Sequence, residues 1–275
     1  MYNPPGYVWV TIFAGPVAFI VIACAVLYGG ALRAGLPWWK ATLVAAGMAI
    51  VPGGWLGISA VMAGHGWYDS TSGFPLLPVA TLGALGVFIA LSQVPAVRRS
   101  VAAPGMLSRL ILPQTVRVTG AAPLMYLVLG HLPALFAVPA ALGDITTGIA
   151  APFVARRLAR GAGPRVAVWF NAFGITDLVV SAILGALTGY HLIKVTPAAD
   201  LSQLPIALVP TAVVPMLLAL HVISLRALAG AANTAQPPST QLAPPSSGTA
   251  DRHALRHRIQ DRQSTPHGNL RREWG

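Results

Sequence analysis

The sequence predicts an all-α protein: a polytopic bundle of about seven transmembrane helices, N-terminus outside and C-terminus in the cytoplasm. Three observations lead there. Apolar runs of about 20 residues, the length that crosses a bilayer's hydrocarbon core, recur through residues 1–230. Hydrophobic residues make up 55% of the chain and charged residues only 9%, whereas a soluble domain carries about 25% charged residues. So little charge does not cover a water-exposed surface. Finally, Lys and Arg fall almost entirely in alternate loops, as they do on the cytoplasmic side of membrane proteins.

In chain order the predicted spans are Val8 to Tyr28, Ala41 to Met62, Leu76 to Val94, Ala122 to Ala140, Ala141 to Arg157, Val166 to Thr188, and Pro205 to Leu228. The first follows Met1 to Tyr7, which hold no Lys or Arg; it is too long for a signal-peptide core and is read as a retained span. The second is bounded by Trp38, Trp39 and Lys40 inside and by Trp67 and Tyr68 outside, an aromatic belt, and Val51-Pro52-Gly53-Gly54 is predicted to interrupt its middle. After the third, Met106 to Val118 mixes Arg109 and Arg117 with Leu and Ile. It is either a segment lying in the inner interface or a covered loop. The fourth and fifth spans are nearly continuous and are divided near Pro139, because the joint run is too long for one crossing and proline favours a break. Pro133, close after His131, is a further predicted helix break, and Pro210 and Pro215 are predicted to kink the seventh span.

With the N-terminus outside, every one of the 18 basic residues except Lys194 falls on the inner side. From about Ala231 the chain turns to Pro, Ser, Thr, Gln and Arg, which cannot bury enough apolar area to offset ordering entropy. Two domains follow: a transmembrane bundle over 1–230 and a disordered basic cytoplasmic tail over 231–275. The net charge of +11 is therefore spread over loops and tail. The predicted partner is the lipid bilayer of the plasma membrane, with anionic-lipid contact by the tail worth about 1 kcal/mol per basic residue. No nucleic acid is expected, since no aromatic interleaving or motif accompanies the charge. A single cysteine, Cys24, excludes an internal disulfide and a cysteine cluster.

An ionisable group costs roughly 2.5–3.5 kcal/mol at the centre of a bilayer, so it faces a partner or a water-filled cavity. His131, Asp144, Asp177 and His221 are the candidates within spans. Around Asp144, the helical period places Thr147, Gly148 and Ala151 on its face; in the next span Asn171, Gly174, Asp177, Ser181 and Gly185 share one arc. Two neighbouring helices, each with an aspartate on a small-residue face, point to a common polar interior. Its residues, Asp144, Asp177, His131, His221, Asn171 and Thr147, either line a substrate or proton path or join helices by hydrogen bonds of about 0.6–2 kcal/mol each.

The stretch Leu132-Pro133-Ala134-Leu135-Phe136-Ala137-Val138-Pro139, with Gly143-Asp144, Gly148, Ala151-Pro152, Trp169, Asn171, Gly174 and Asp177-Leu178, resembles bacterial multispanning membrane proteins without an assigned activity. The resemblance covers the second half of the chain and implies no function. A comparison with Gly-x-Gly-Asp intramembrane aspartyl proteases is weaker, because Ala141 replaces the first glycine.

The leading functional expectation is a permease or proton-linked transporter using the intramembrane Asp and His residues. The alternatives are a membrane enzyme, either an aspartyl hydrolase or a haem or metal oxidoreductase with His131 and His221 as ligands, and a non-catalytic scaffold or sensor. ATP hydrolysis is disfavoured, for no phosphate-binding glycine loop is present.

Overall fold

The structure, a computed structural model, describes residues 2–69, 74–195 and 201–235. Among them every regular element is helical. In order these are α1 (Gly6–Arg33), α2 (Trp38–Gly64), α3 (Leu76–Leu91), α4 (Pro95–Ala102), α5 (Met106–Leu110), a 3-10 helix (Leu112–Ala121), α6 (Ala122–Val128), α7 (Ala134–Ala159), α8 (Pro164–Gly189), a π-helical turn (Val209–Val213) and α9 (Val214–Ala235). Five helices are long and apolar enough to cross a membrane: α1, α2, α7, α8 and Val209–Gly230. A sixth candidate is the pair α3 and α4, bent by 77° where Pro95 opens the second helix. Their outer faces carry Val10, Val17, Val21, Leu43 and Ile50 exposed, as expected where the surrounding medium is hydrocarbon. The tail beyond residue 235 lies outside the described residues.

Helix ends follow the local chemistry. Gly35 and Gly130 adopt φ of +76°, and each directs its own N–H and that of the next residue back onto the last turn, at 3.1 and 3.0 Å after α1 and at 2.9 and 2.9 Å after α6. This is the Schellman closure, which favours glycine because a side chain is strained at positive φ. Pro133 then immediately precedes α7.

Two expected breaks do not occur. Pro139 lies within α7, which runs unbroken from Ala134 to Ala159. The division between Ala122–Ala140 and Ala141–Arg157 is therefore corrected: the chain breaks at Gly130 to Pro133 instead. Proline removes one backbone hydrogen bond, and transmembrane helices absorb that loss through their neighbours. Likewise α2 continues through Pro52, Gly53 and Gly54.

Of the two readings of Met106 to Val118, inner-interface segment or covered loop, the structure keeps the cover and corrects the loop, for the segment is helical. Met106, Leu110, Ile111, Gln114 and Arg117 are all buried. The segment runs antiparallel to α1 along its length. A Cβ at Gly30 would lie 2.8 Å from the Met106 side chain, Gly15 meets Thr119, and the ring of Tyr2 stacks on His131 and meets Tyr126 edge-on. Within it Thr115 and Thr119 donate to carbonyls three residues back, each at 2.8 Å, closing the tighter 3-10 spacing. In that spacing residues i and i+3 eclipse. Gln114 and Arg117 thus point together at α9, where Gln114 Nε2 donates to the Leu217 carbonyl at 3.2 Å.

The start of the last span unwinds into the π turn at Val209–Val213, next to Pro210. Its freed carbonyls are taken by other helices: Trp55 Nε1 donates to Thr211 O at 2.7 Å and Thr81 Oγ1 to Pro210 O at 2.9 Å. The Thr211 hydroxyl donates to Ala207 O at 2.6 Å, so Ser59 donates to Thr211 Oγ1 at 2.5 Å, and Tyr68 to Ser59 at 3.1 Å. Burial pushes the Tyr68 hydroxyl above the usual phenol value, opposed by its links to Ser59 and Thr211, so it stays an O–H at neutral pH. Thr211→Val, which keeps the shape but removes an acceptor, is expected to cost about 1 kcal/mol, read as a lower thermal unfolding midpoint in detergent.

Candidate functional site: a buried arginine shared by two aspartates

Asp144 is the eleventh of 26 residues in α7 and Asp177 the fourteenth of 26 in α8. Both therefore sit at mid-helix, and Asp144 is not at a helix start as the Pro139 division implied. Between them lies Arg117 of the 3-10 helix, 2% exposed. Its Nε donates to Asp144 Oδ1 at 2.6 Å, and its Nη2 pairs with Asp177 Oδ2. Its Nη1 faces His221 Nε2 at 3.2 Å and the Gly174 carbonyl at 3.5 Å. Because arginine only donates, His221 accepts at Nε2 and must carry its proton on Nδ1. That proton goes to Asn171 Oδ1 at 2.9 Å, while Asn171 Nδ2 donates to Ala167 O at 2.8 Å and Ser224 Oγ at 3.1 Å. One continuous network thus ties the 3-10 helix, α7, α8 and α9 together at mid-bundle.

Glycines make this density feasible. A Cβ at Gly120 would collide with the Asp144 side chain, one at Gly143 with the Asp177 carboxylate, and one at Gly174 with the His221 ring. Each polar group lies over a glycine of the preceding segment in the chain. Gly148 likewise admits the backbone of Val118, whose N would lie 2.6 Å from an added Cβ. Small residues of this kind let helices approach closely where no water drives them together.

The charges do not balance. Two carboxylates face one guanidinium, and among the described residues both ion pairs belong to Arg117. A cavity of about 40 Å³ adjoins Asp144 and Arg117, lined also by Gly15, Thr119 and Gly120. A single water needs roughly 10–15 Å³ of such space and two or more polar partners, so the cavity has room for one.

Of the residues singled out in the sequence, Asp144, Asp177, His221 and Asn171 converge. His131 does not join them; it stacks on Tyr2 with ring centroids 3.4 Å apart, at the far end of α1 from Arg33. Thr147 is buried on the Asp144 face of α7, but its hydroxyl bonds to Gly143 O of its own helix at 2.8 Å. The geometry also bears on the enzyme alternatives. Both ring nitrogens of His221 are engaged and His131 lies elsewhere, so the two histidines form no ligand pair. Arg117 occupies the position between the carboxylates that a hydrolase would give to water. Arg117 itself escapes the sequence reading, where it is counted among the inner-loop charges. The signal is present: Leu110 to Val128 is a largely apolar stretch in which Arg117 is the one charged residue.

An all-helical bundle of membrane-crossing length, closed round an arginine held by two aspartates, defines the class of protein. The chain belongs to a family defined by a domain of unknown function, DUF8737, whose model matches residues 74–229. The matched region contains Arg117, Asp144, Asn171, Asp177 and His221, and excludes α1 and α2. No curated protein and no solved structure matches the chain.

Proposed function

We propose that this chain is a proton-linked permease of the plasma membrane, with Asp144 and Asp177 sharing one exchangeable proton against Arg117. The observation that carries the reading is the stoichiometry of the site: two carboxylates and one guanidinium at mid-bundle leave one negative charge to be neutralised where charge is costly. One proton does so, and the pair titrates as a unit rather than as two separate aspartates. The water-sized space beside Asp144 supplies a place for the proton to arrive. Arg117 rides on the broken segment α5–α6 while its partners ride on α7 and α8, so a change of proton occupancy alters the contacts between a broken helix and two whole ones, an arrangement suited to transport.

The proposed topology has seven crossings, the fourth being residues 106–128. At 1.5 Å per α-helical and 2.0 Å per 3-10 residue it spans about 38 Å, enough for a hydrocarbon core of about 30 Å. The N-terminus is then outside and the tail cytoplasmic. Arg33, Arg98, Arg99, Arg109 and Arg156 to Arg165 fall on the inner side and Lys194 on the outer. Only Arg117 leaves the inner set, and it does so by entering the bundle.

Infrared difference spectroscopy of the membrane-reconstituted protein across a pH titration tests the reading. The expected result is one carboxyl C=O band that grows as pH falls and is lost in both Asp144→Asn and Asp177→Asn, because either variant leaves one carboxylate matched to one guanidinium. Dissipation of a pH gradient in proteoliposomes should fall in the same variants. A wild-type protein with no titrating carboxyl band, or a band untouched by both substitutions, overturns the proton assignment.

A further inference from the structure

The bundle also has a half-open cavity of about 650 Å³, whose mouth is marked by the exposed Leu43, Gly47, Leu91 and Val94. Its walls are Phe19, Ala23 and Val26 of α1, the face of α2 from Lys40 to Pro52, α3 and α4 from Phe88 to Val101, and Met216, Ala219, Leu220 and Ile223 of α9. Although α2 and α3 are consecutive, α2 packs along α1 and α3 packs against the π turn, and the space between them is left unfilled. Left unfilled, such a space forfeits dispersion contacts along its lining. An apolar cavity of only about 150 Å³ already takes up benzene, so a space four times larger in a hydrocarbon medium does not stay empty. Its lining gives water few partners: Ser92 Oγ is committed to the Ile89 carbonyl at 2.6 Å, and the charged group, Lys40, stands at one end.

We infer that this cavity is a binding site for one hydrocarbon chain of an anionic phospholipid, with the phosphate held at Lys40. The dimensions carry the first half of the inference. From Lys40 to Pro52 the α2 wall is about 18 Å long, close to the roughly 15 Å of hydrocarbon in one leaflet. A chain entering at Lys40 therefore reaches the bilayer midplane where the cavity ends. Charge complementarity carries the second half. Lys40 lies at the first turn of α2 with its ammonium 5.0 Å from the Trp39 ring centroid, and among the described residues no carboxylate lies within ion-pair distance of it. An indole beside an ammonium at the interface is a common headgroup anchor. The site shares no residue with the Arg117 network and stands whether or not that network carries a proton.

Native mass spectrometry of the 275-residue chain, loaded in micelles with phosphatidylglycerol or phosphatidylcholine of identical chains, is the test. The expected result is one phosphatidylglycerol per chain retained at activation energies that strip phosphatidylcholine. Gly47 lines the cavity, and a Cβ there meets no atom within 4 Å. Gly47→Phe should fill the space and abolish retention, whereas Gly83→Phe, at an equally open position on the exposed face of α3, should not. Lys40→Gln should lower the preference for phosphatidylglycerol about fivefold, the worth of one basic residue at an anionic surface. Should Gly47→Phe fail to fold, Gly47→Leu serves with the same expectation. Wild-type protein that retains neither lipid, retention surviving the cavity-filling variant, or equal loss in the Gly83 control overturns the inference.

Discussion

Arg117→Met is expected to lower the stability of the bundle by about 3–5 kcal/mol, the usual cost of removing one partner from a buried ion pair. For a protein of ordinary marginal stability that is a large share of the total, and much of the variant should not survive extraction in folded form. The loss arises less from the vanished attraction than from what is left behind. Asp144 and Asp177 remain at mid-bundle with no cation, and the Nε2 of His221 and the Gly174 carbonyl lose their donor together. The same logic specifies the rescue. Arg117→Met with Asp144→Asn and Asp177→Asn removes both stranded charges, and apolar or neutral replacements of whole buried ion clusters are often nearly neutral, so the triple variant should recover most of the lost midpoint in detergent. Arg117→Lys should fall between. A lysine ammonium is a point charge on a flexible stem and does not present the planar fork that reaches two carboxylates and an imidazole at once. Wild-type stability in Arg117→Met, or no recovery in the triple variant, would remove the ion cluster from the list of what holds the helices together.

This stabilising role and the proposed proton role are separable. Asp177→Asn keeps a partner for every Arg117 donor, since an amide oxygen still accepts, so it should unfold near the wild-type midpoint while losing the titrating carboxyl. A cluster that only glued helices would show the first result and, having no proton to lose, no change in the second.

How far the chain is legible without its structure depends on the kind of signal. The long helices α1, α2 and α8 stand close to where runs of apolar residues place them, because burial in hydrocarbon leaves a helix as the one way to satisfy a single crossing segment. Asp144, Asp177, Asn171 and His221 were legible as one polar interior because ionisable groups at such depth are expensive. Two matters were not. Proline at 52 and 139 reads as a break on intrinsic propensity, yet one missing backbone bond is small beside the packing of a 26- or 27-residue helix. The true break falls at Gly130 to Pro133, where Pro133 was legible as a helix break and Gly130, whose backbone conformation turns the chain, was not. Arg117 was hidden for a related reason. A positive charge near loops assigned to the inner side agrees with the positive-inside rule whether it faces water or two carboxylates, so the rule cannot separate the cases; only the pairing with Asp144 and Asp177, 27 and 60 residues away, does so.

The second large effect is expected from adding a single methyl group. Gly143→Ala places a Cβ on the Asp177 carboxylate, in a packed layer where overfilling costs about 1–3 kcal/mol, and it pushes Asp177 off Arg117, adding part of the ion-pair loss. The same change at Gly57, where nothing lies within 4 Å, should instead be neutral or stabilising by up to about 1 kcal/mol, since alanine is the better helix former. Opposite signs for one substitution at two helical glycines would show that close approach, and not helix propensity, decides at position 143. The mechanism can be pressed further with a double-mutant cycle. If the methyl acts by colliding with Asp177, then Asp177→Ala makes room for it, and Gly143→Ala should cost little in that background; the coupling should reach about 0.5–3 kcal/mol, the range for residues in contact. Additive costs would mean that the methyl disturbs α7 itself. Gly174→Ala is the corresponding probe one segment further on, where the obstacle is the His221 ring and Arg117 Nη1 at 3.1 Å. A histidine already fixed by Arg117 and Asn171 has less freedom to move aside than an aspartate with one open oxygen, so this variant should be the more damaging of the two.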